Sequence, residues 1–191
     1  LPTATVTKLE KEDLTFAMNF KANDPSTEQQ TYYDNWFADF ELTFNKAITL
    51  NANGEADGFL SGQYDGWEAA GFDSTQWINV PFEDVTVGAN ETLKVMAYAA
   101  EMMGQSGLKL TYKDIYTSVK DFNCGVFLSP EFLAANPDLE VTLELRMYNP
   151  ADETESYVIG ETYTFTLTQE KPELPTATVT KLEKEDLTFA M

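Results

Sequence analysis

The sequence predicts a mostly β protein, an antiparallel β-sandwich with one or two short helices. Apolar and polar residues alternate along most of the 191 residues, and turn-forming residues separate these stretches. Hydrophobic residues make up 43% of the chain and aromatic residues 13%, which is enough for a sizeable core. Roughly eight to ten strands of this kind are expected to stack as two antiparallel sheets.

The alternating stretches define the predicted strands. They lie in residues 5–9, 14–20, 36–50, 58–64, 77–82, 93–103, 139–149 and 156–168. The pair 139–149 and 156–168 is the clearest, because apolar Val141, Leu143 and Leu145 alternate with polar residues. The polar segment 149–155 is predicted to join these two strands as a hairpin loop.

One helix is well marked after residue 128. Ser129 is a good N-cap, Pro130 suits the first helical position, and Asn136 with Pro137 ends the segment after one or two turns. The stretch 110–122 fits either a helix or a strand. Cys124 lies in an apolar run and is expected to be a small buried hydrophobic residue.

An internal duplication determines the predicted domain organisation. Residues 1–18 are identical to residues 174–191, a spacing of 173 residues. This period is far longer than the roughly 20–50 residues of solenoid repeats, so each unit should be a self-contained domain. The sequence predicts a unit at 1–168, a proline-containing linker at 169–175, and the start of the next repeat at 176–191, which duplicates 3–18. That second copy either stays loose or pairs with a sheet edge.

Composition excludes several classes of function. With 32 acidic and 12 basic residues the net charge is −20, which argues against partners such as nucleic acid or an anionic membrane surface. The absence of His removes imidazole catalysis, and a lone Cys forms no internal disulfide. No apolar run of about 18 residues predicts membrane insertion, and an export signal and an anchor are expected elsewhere in a longer parent. The sequence therefore predicts no enzyme.

The segment 51–79 is the most suggestive for ligand binding. It holds five of the ten glycines together with Tyr64, Trp67 and Trp77. Flat aromatic faces stack on sugar rings, and side chains such as Asp65 and Asp73 bond sugar hydroxyls. The alternative is that the tryptophans are core anchors, since large aromatic residues usually bury much of their surface.

Two further sites remain open. Asp57, Asp65 and Asp73 offer oxygen ligands suited to Ca²⁺, although no EF-hand pattern is present, and no other cofactor is expected. Exposed acids in solvated loops are the alternative. Lys8, Lys21 and Lys94 are candidates for an isopeptide bond to Asn or Asp, against the usual expectation that strand lysines point to solvent. These three lysines lie in or near predicted strands.

The acidic, Thr-rich, Cys-poor sandwich with an exact tandem copy resembles the repeated β-sandwich modules, Ig-like or jelly-roll-like, of bacterial cell-surface or secreted proteins. The resemblance implies an extracellular location and a non-enzymatic role as a structural spacer or adhesive unit. The implied partners are neighbouring repeats of the same chain and a glycan or a host or cell-surface ligand. The alternative function is a carbohydrate-binding module that uses the aromatic residues of region 58–79.

Overall fold

The structure, a computed structural model, describes residues 1–51, 56–64, 76–167 and 175–181. The strands are β1 (Ala4–Leu9), β2 (Phe16–Ala22), β3 (Phe37–Phe44), β4 (Ile48–Leu50), β5 (Gly58–Tyr64), β6 (Ile78–Pro81), β7 (Val85–Val87), β8 (Thr92–Lys94), β9 (Leu110–Thr111), β10 (Asp121–Leu128), β11 (Leu139–Asn149), β12 (Asp152–Val158) and β13 (Tyr163–Leu167). The helices are α1 (Thr27–Tyr33), α2 (Val95–Met102), α3 (Tyr112–Asp114), which continues as a π-helical turn (Ile115–Val119), and α4 (Pro130–Ala135). The predicted fold class is confirmed.

Two antiparallel sheets form the body of the domain. The five-stranded sheet has the order β1-β2-β10-β5-β6, and the six-stranded sheet has the order β12-β11-β3-β8. Strand β13 also pairs with β11, and β9 also pairs with β3, so each of these central strands has two short partners along one edge. Strands β4 and β7 form a separate two-stranded ribbon.

The core lies between the two sheets, where alternation turns the apolar residues inward. Phe40 of the six-stranded sheet stacks on Phe122 of the five-stranded sheet at 4.2 Å between ring centroids. Its second contact, with Phe20, is edge-on at 4.8 Å. The predicted burial of Cys124 is confirmed, and burial raises the pKa of its thiol to about 12. This cysteine therefore stays protonated and unreactive at neutral pH.

The last two predicted strands are more divided than expected. The turn of the hairpin is short, because β11 ends at Asn149 and β12 already begins at Asp152. The stretch 156–168 is then broken between Val158 and Tyr163, and both halves pair with β11. Together β12 and β13 serve as one interrupted partner of the longest strand.

The prediction of a strand at 93–103 is wrong for most of that segment. Only β8 is extended, and α2 begins at Val95. Val95 and Ala99 are spaced to face the core from one side of a helix, and both are buried. The helix lies beside β3, and with residues of β5, β6 and β10 it lines a small cavity, so it lies at the open side between the sheets.

The other helices follow local capping rules. The predicted helix at 129–136 is confirmed as α4, with the Ser129 hydroxyl accepting the N–H of Phe132. Helix α1 was not predicted, although Ser26 and Gln29 form a reciprocal capping box at its start. The ambiguous stretch 110–122 contains both kinds of structure, namely the strand β9, the helix α3 with its π-helical turn, and the first residues of the strand β10.

The first and last strands of the sandwich run in the same direction along one side. Gly160, before β13, lies against Ala4 and Val6 of β1. Further along, Lys8 lies over the ring of Phe165, and Phe165 stacks on Phe16. Strand β1 therefore begins at one end of the sandwich, and β13 ends at the other.

Two glycines of β5 provide a matched test of the packing. A Cβ atom on Gly58 would collide with the backbone carbonyl of Phe127, whereas a Cβ on Gly62 meets nothing closer than 3.5 Å. We expect Gly58→Ala to lower the free energy of unfolding by about 1–3 kcal/mol because the backbone must shift. Gly62→Ala should leave it unchanged or raise it by up to about 1 kcal/mol. Urea denaturation measures both, and equal effects would contradict the packing described for β5.

Candidate functional site: the outer face of the five-stranded sheet

Three amide side chains form a row across the outer face of the five-stranded sheet. Asn19 of β2, Asn123 of β10 and Gln63 of β5 are directly opposite one another in the register. Asn19 Nδ2 donates to Asn123 Oδ1 at 2.8 Å, and Asn123 Nδ2 donates to Gln63 Oε1 at 3.1 Å. Asn19 Nδ2 also donates to Asp121 Oδ1 at 2.5 Å. We call Asn19, Asn123 and Gln63 the amide row.

The next row of the same face is smaller and partly covered. Ser61 Oγ donates to Asn79 Oδ1 at 2.7 Å, beside Gly125 of the central strand. Leu14, in the loop between β1 and β2, lies over Gly125, and an added Cβ there would be only 2.7 Å from the leucine. The loop therefore folds back over this face and leaves the amide row at its border.

Of the residues predicted to bind a sugar, Trp77 is the one whose side chain the structure describes. It directly precedes β6 and is half-buried, so it is neither a core anchor nor a fully exposed platform. The Lys11 ammonium lies 5.1 Å from the centre of its ring, which brings the β1–β2 loop against the indole. Lys11 in turn pairs with Asp13. A ligand that stacks on the face held by Lys11 must displace that cation.

The remaining predicted ligand residues lie mostly outside the described part of the chain. Trp67, Asp65 and Asp73 are outside the described residues, and Tyr64 is described only as the last residue of β5. The structure therefore brings Trp77 near the β1–β2 loop and places Tyr64 at the end of β5, while Asp65, Trp67 and Asp73 lie outside the described residues.

Asp57, from the predicted Ca²⁺ set, has a structural role in the loop before β5. Its carboxylate accepts the N–H of Asn51 at 2.7 Å, and its own N–H donates to the Asn51 carbonyl at 2.9 Å. Its carbonyl accepts the N–H of Ser129 at 2.7 Å. Within the described ranges, no group of three or more Asp, Glu or Cys residues is arranged to hold a metal ion.

The three lysines considered for an isopeptide bond are all exposed. Lys8 lies over the rings of Tyr163 and Phe165, at 5.1 Å from each centroid. Lys94 lies over Tyr148 at 4.2 Å. Because a spontaneous isopeptide bond needs an amine desolvated beside a carboxyl group, these positions favour solvent-facing lysines.

Sequence reasoning missed a pair of buried acids on the outer face of the six-stranded sheet. Asp39 and Glu41 alternate with core residues on β3 and therefore resemble a solvent-facing row, yet they are only 7% and 2% exposed. Asp39 Oδ1 accepts the N–H of Met96 at 2.7 Å, and its Oδ2 accepts that of Ala97 at 3.1 Å. The carboxylate thereby satisfies two of the open N–H groups at the start of α2.

Glu41 is held by groups from the neighbouring strand β11. Its carboxylate accepts the hydroxyl of Tyr148 and lies 3.7 Å from Nε of Arg146. Arg146 Nε also lies 2.9 Å from Glu144. These contacts offset the burial of the charge. Together with the bonds from Asp39 to α2, they indicate a structural cluster that fixes α2 and β11 against β3.

Burial perturbs the titration of both acids. It raises the pKa of Asp39 to about 6, although the two N–H groups of α2 favour the charged form. Burial also raises the pKa of Glu41, against the opposing hydrogen bond from Tyr148. A cleft of 110 Å³ adjoins Asp39 and is lined by Lys94, Lys109 and Tyr148.

The raised pKa of Asp39 predicts a pH dependence of stability. Its folded pKa of about 6 exceeds its ordinary value of 3.8, so its stabilising contribution is complete at low pH. That contribution is lost as the pH rises through about 6, a loss of about 3 kcal/mol. Asp39→Asn removes the titration, so the unfolding free energy of the parent should fall relative to the variant between about pH 4 and 7.

Urea denaturation at several pH values measures this difference. Asp24→Asn is the matched control, because Asp24 is exposed. It should run parallel to the parent protein across the whole range. If the Asp39→Asn curve also runs parallel to the parent, the carboxylate is not perturbed by burial.

Comparison with known proteins assigns no relationship. No family model, no curated protein and no solved structure matches the chain. Among the described residues, no helix is both long enough and apolar enough to cross a membrane. A functional conclusion for this chain therefore depends on the duplicated sequence and on the geometry of the two sheets.

Proposed function

We propose that this chain is a non-enzymatic repeat module of a bacterial surface or secreted protein, acting outside the cell as a structural spacer or adhesive unit. The observation that carries the proposal is the exact identity of residues 1–18 and 174–191. The first copy supplies β1, the β1–β2 loop and the start of β2, which are integral parts of the sandwich. A second copy of the same segment is what the beginning of another sandwich would look like.

The positions of the two ends support a linear arrangement of units. Strand β1 starts at one end of the sandwich and β13 finishes at the opposite end, so successive units would extend in line rather than fold back. The segment between them contains Pro172 and Pro175, which favour an extended and semi-rigid connection. The net charge of −20 disfavours close packing of neighbouring units. Repetition would convert a weak contact of each unit into avidity for a surface ligand.

A protein with two complete units tests the spacer function. We expect its maximum dimension in small-angle X-ray scattering to be close to twice that of one unit, because the units extend in line. Replacing Pro172 with Gly should leave both units folded but broaden the distance distribution, since glycine loosens the connection. Pro175 is kept, because it corresponds to Pro2, which is buried in the unit. A two-unit maximum dimension close to that of a single unit would show side-by-side packing and contradict the spacer function.

The outer face of the five-stranded sheet supports a second candidate, a carbohydrate-binding module. The amide row presents donors and acceptors in a line, and half-buried Trp77 adjoins the loop that borders it. Amides that bond hydroxyls beside an aromatic ring are suited to a sugar chain lying along the sheet. The specific observation in favour is the alignment of three amides on adjacent strands.

Two substitutions test the carbohydrate hypothesis. If a polysaccharide binds this face, Trp77→Ala and Asn123→Ala should each weaken binding by about tenfold or more in a glycan array followed by calorimetry. Tyr32→Ala is the matched control, because Tyr32 is an exposed aromatic residue on α1. Equal losses for Tyr32→Ala and Trp77→Ala, or no binding by the parent protein, would exclude the carbohydrate function.

A further inference from the structure

Strand β1 is an edge strand, held by one neighbour along its length. Among the described residues it pairs only with β2, from Ala4 opposite Ala22 to Leu9 opposite Ala17. Val6 is its deeply buried side chain, at 9% exposed, and packs against Gly160. The position of β1 is thus a slot between β2 and the chain before β13, and any strand with the same side chains fits it.

The chain carries a second strand with the same side chains. Residues 175–181 repeat residues 2–8, but they form no helix or strand and are exposed throughout. Val179, which corresponds to Val6, is 91% exposed. The same valine in the same local sequence therefore has two opposite environments within one molecule.

We propose that the β1 position is a strand-binding site whose second ligand is the C-terminal copy of the same chain. When the first copy leaves, residues 177–181 enter beside β2 in the same direction. Val179 then takes the place of Val6, and Thr178 lies opposite Lys21. Strand addition at a sheet edge supplies the backbone hydrogen bonds, and the buried valine supplies the register.

The second copy can reach the slot within its own molecule. Strand β13 ends near the Leu9 end of β1, so the copy must return about 17 Å to begin at the Ala4 end. Nine residues, 168–176, separate Leu167 from Ala177, and an extended chain of that length spans up to about 30 Å. A short tether gives an effective concentration in the millimolar range, so at micromolar protein the intramolecular copy outcompetes one from another molecule.

The balance between the two copies depends on their tethers, because their contacts with β2 are the same. The first copy is joined to β2 by the short loop 10–15, and Leu14 of that loop packs over Gly125. It therefore holds the slot in the intact chain. The exchange of the two copies within one chain does not depend on the proposed function. Within a tandem array, the duplicated segment would be able to complete either the unit before it or the unit after it.

Three variants of the full chain, compared with the parent, separate the two copies. In Val6→Asp the first copy can no longer bury residue 6, so the second copy should take its place. Val179→Asp is the matched control and should unfold like the parent. The double variant Val6→Asp/Val179→Asp leaves no competent strand, and its melting temperature should fall by about 5–10 °C. Val6→Asp alone should lose less than half as much.

A disulfide shows where the second copy lies. On the Val6→Asp background, Lys21→Cys with Thr178→Cys should form a cross-link, since residues facing each other on paired strands satisfy disulfide geometry. Non-reducing electrophoresis should show a faster-moving monomer. The same pair without Val6→Asp should cross-link at least fivefold more slowly, because the first copy occupies the slot.

Two results would overturn the proposal. Equal loss of stability in Val6→Asp and in the double variant would mean that the second copy does not enter the slot. If both aspartate variants fail to fold, Val6→Ala and Val6→Ala/Val179→Ala replace them as a milder pair, and equal losses there would likewise overturn it. A cross-link recovered only as covalent dimers would show that the donor is another molecule.

Discussion

The contact of Phe40 with Phe20 and Phe122 sets the relation between the two sheets. Phe40 lies on β3, which is paired along both edges, and its two partners lie on the adjacent central strands of the opposite sheet. Stacked and edge-on rings fix the distance and the angle between these strands more tightly than aliphatic contacts would. Because the inner face of each sheet is used in this packing, the outer faces and the edges are what remain for binding and for connection to other units.

The two outer faces are used differently. On the six-stranded sheet, the carboxylate of Asp39 caps α2 and is buried, so the helix closes the side of the sandwich at the expense of a perturbed acid. On the five-stranded sheet the polar groups satisfy one another, because Asn19 donates to Asn123 and Asn123 donates to Gln63. A face whose groups are mutually bonded keeps its shape without a ligand, and this preorganisation lowers the entropic cost of binding one.

The sequence predicted those elements whose determinants are local, such as the strand at 139–149 and the helix capped by Ser129. It failed at α2, because the cap of that helix comes from Asp39, which is 57 residues away from Met96. The apolar residues of 93–103 fit the spacing of a strand as well as that of a helix. The carboxylate of Asp39, distant in the sequence, favours the helix. The candidate site divides in the same way between local and distant determinants. Local sequence predicted Trp77 as a ligand residue, whereas the amide row exists only through the register of three strands that are distant in the chain.

Val6 and Val179 show how far local sequence determines structure in this chain. The same residues precede and follow both valines in the sequence, yet Val6 is buried beside β2 and Val179 is exposed. Edge strands contribute little of their own stability, since pairing with the sheet supplies their hydrogen bonds and their burial. A strand of this kind is therefore defined by the slot that receives it. A duplicated edge strand makes one slot available to two segments, and the shorter tether decides which segment occupies it.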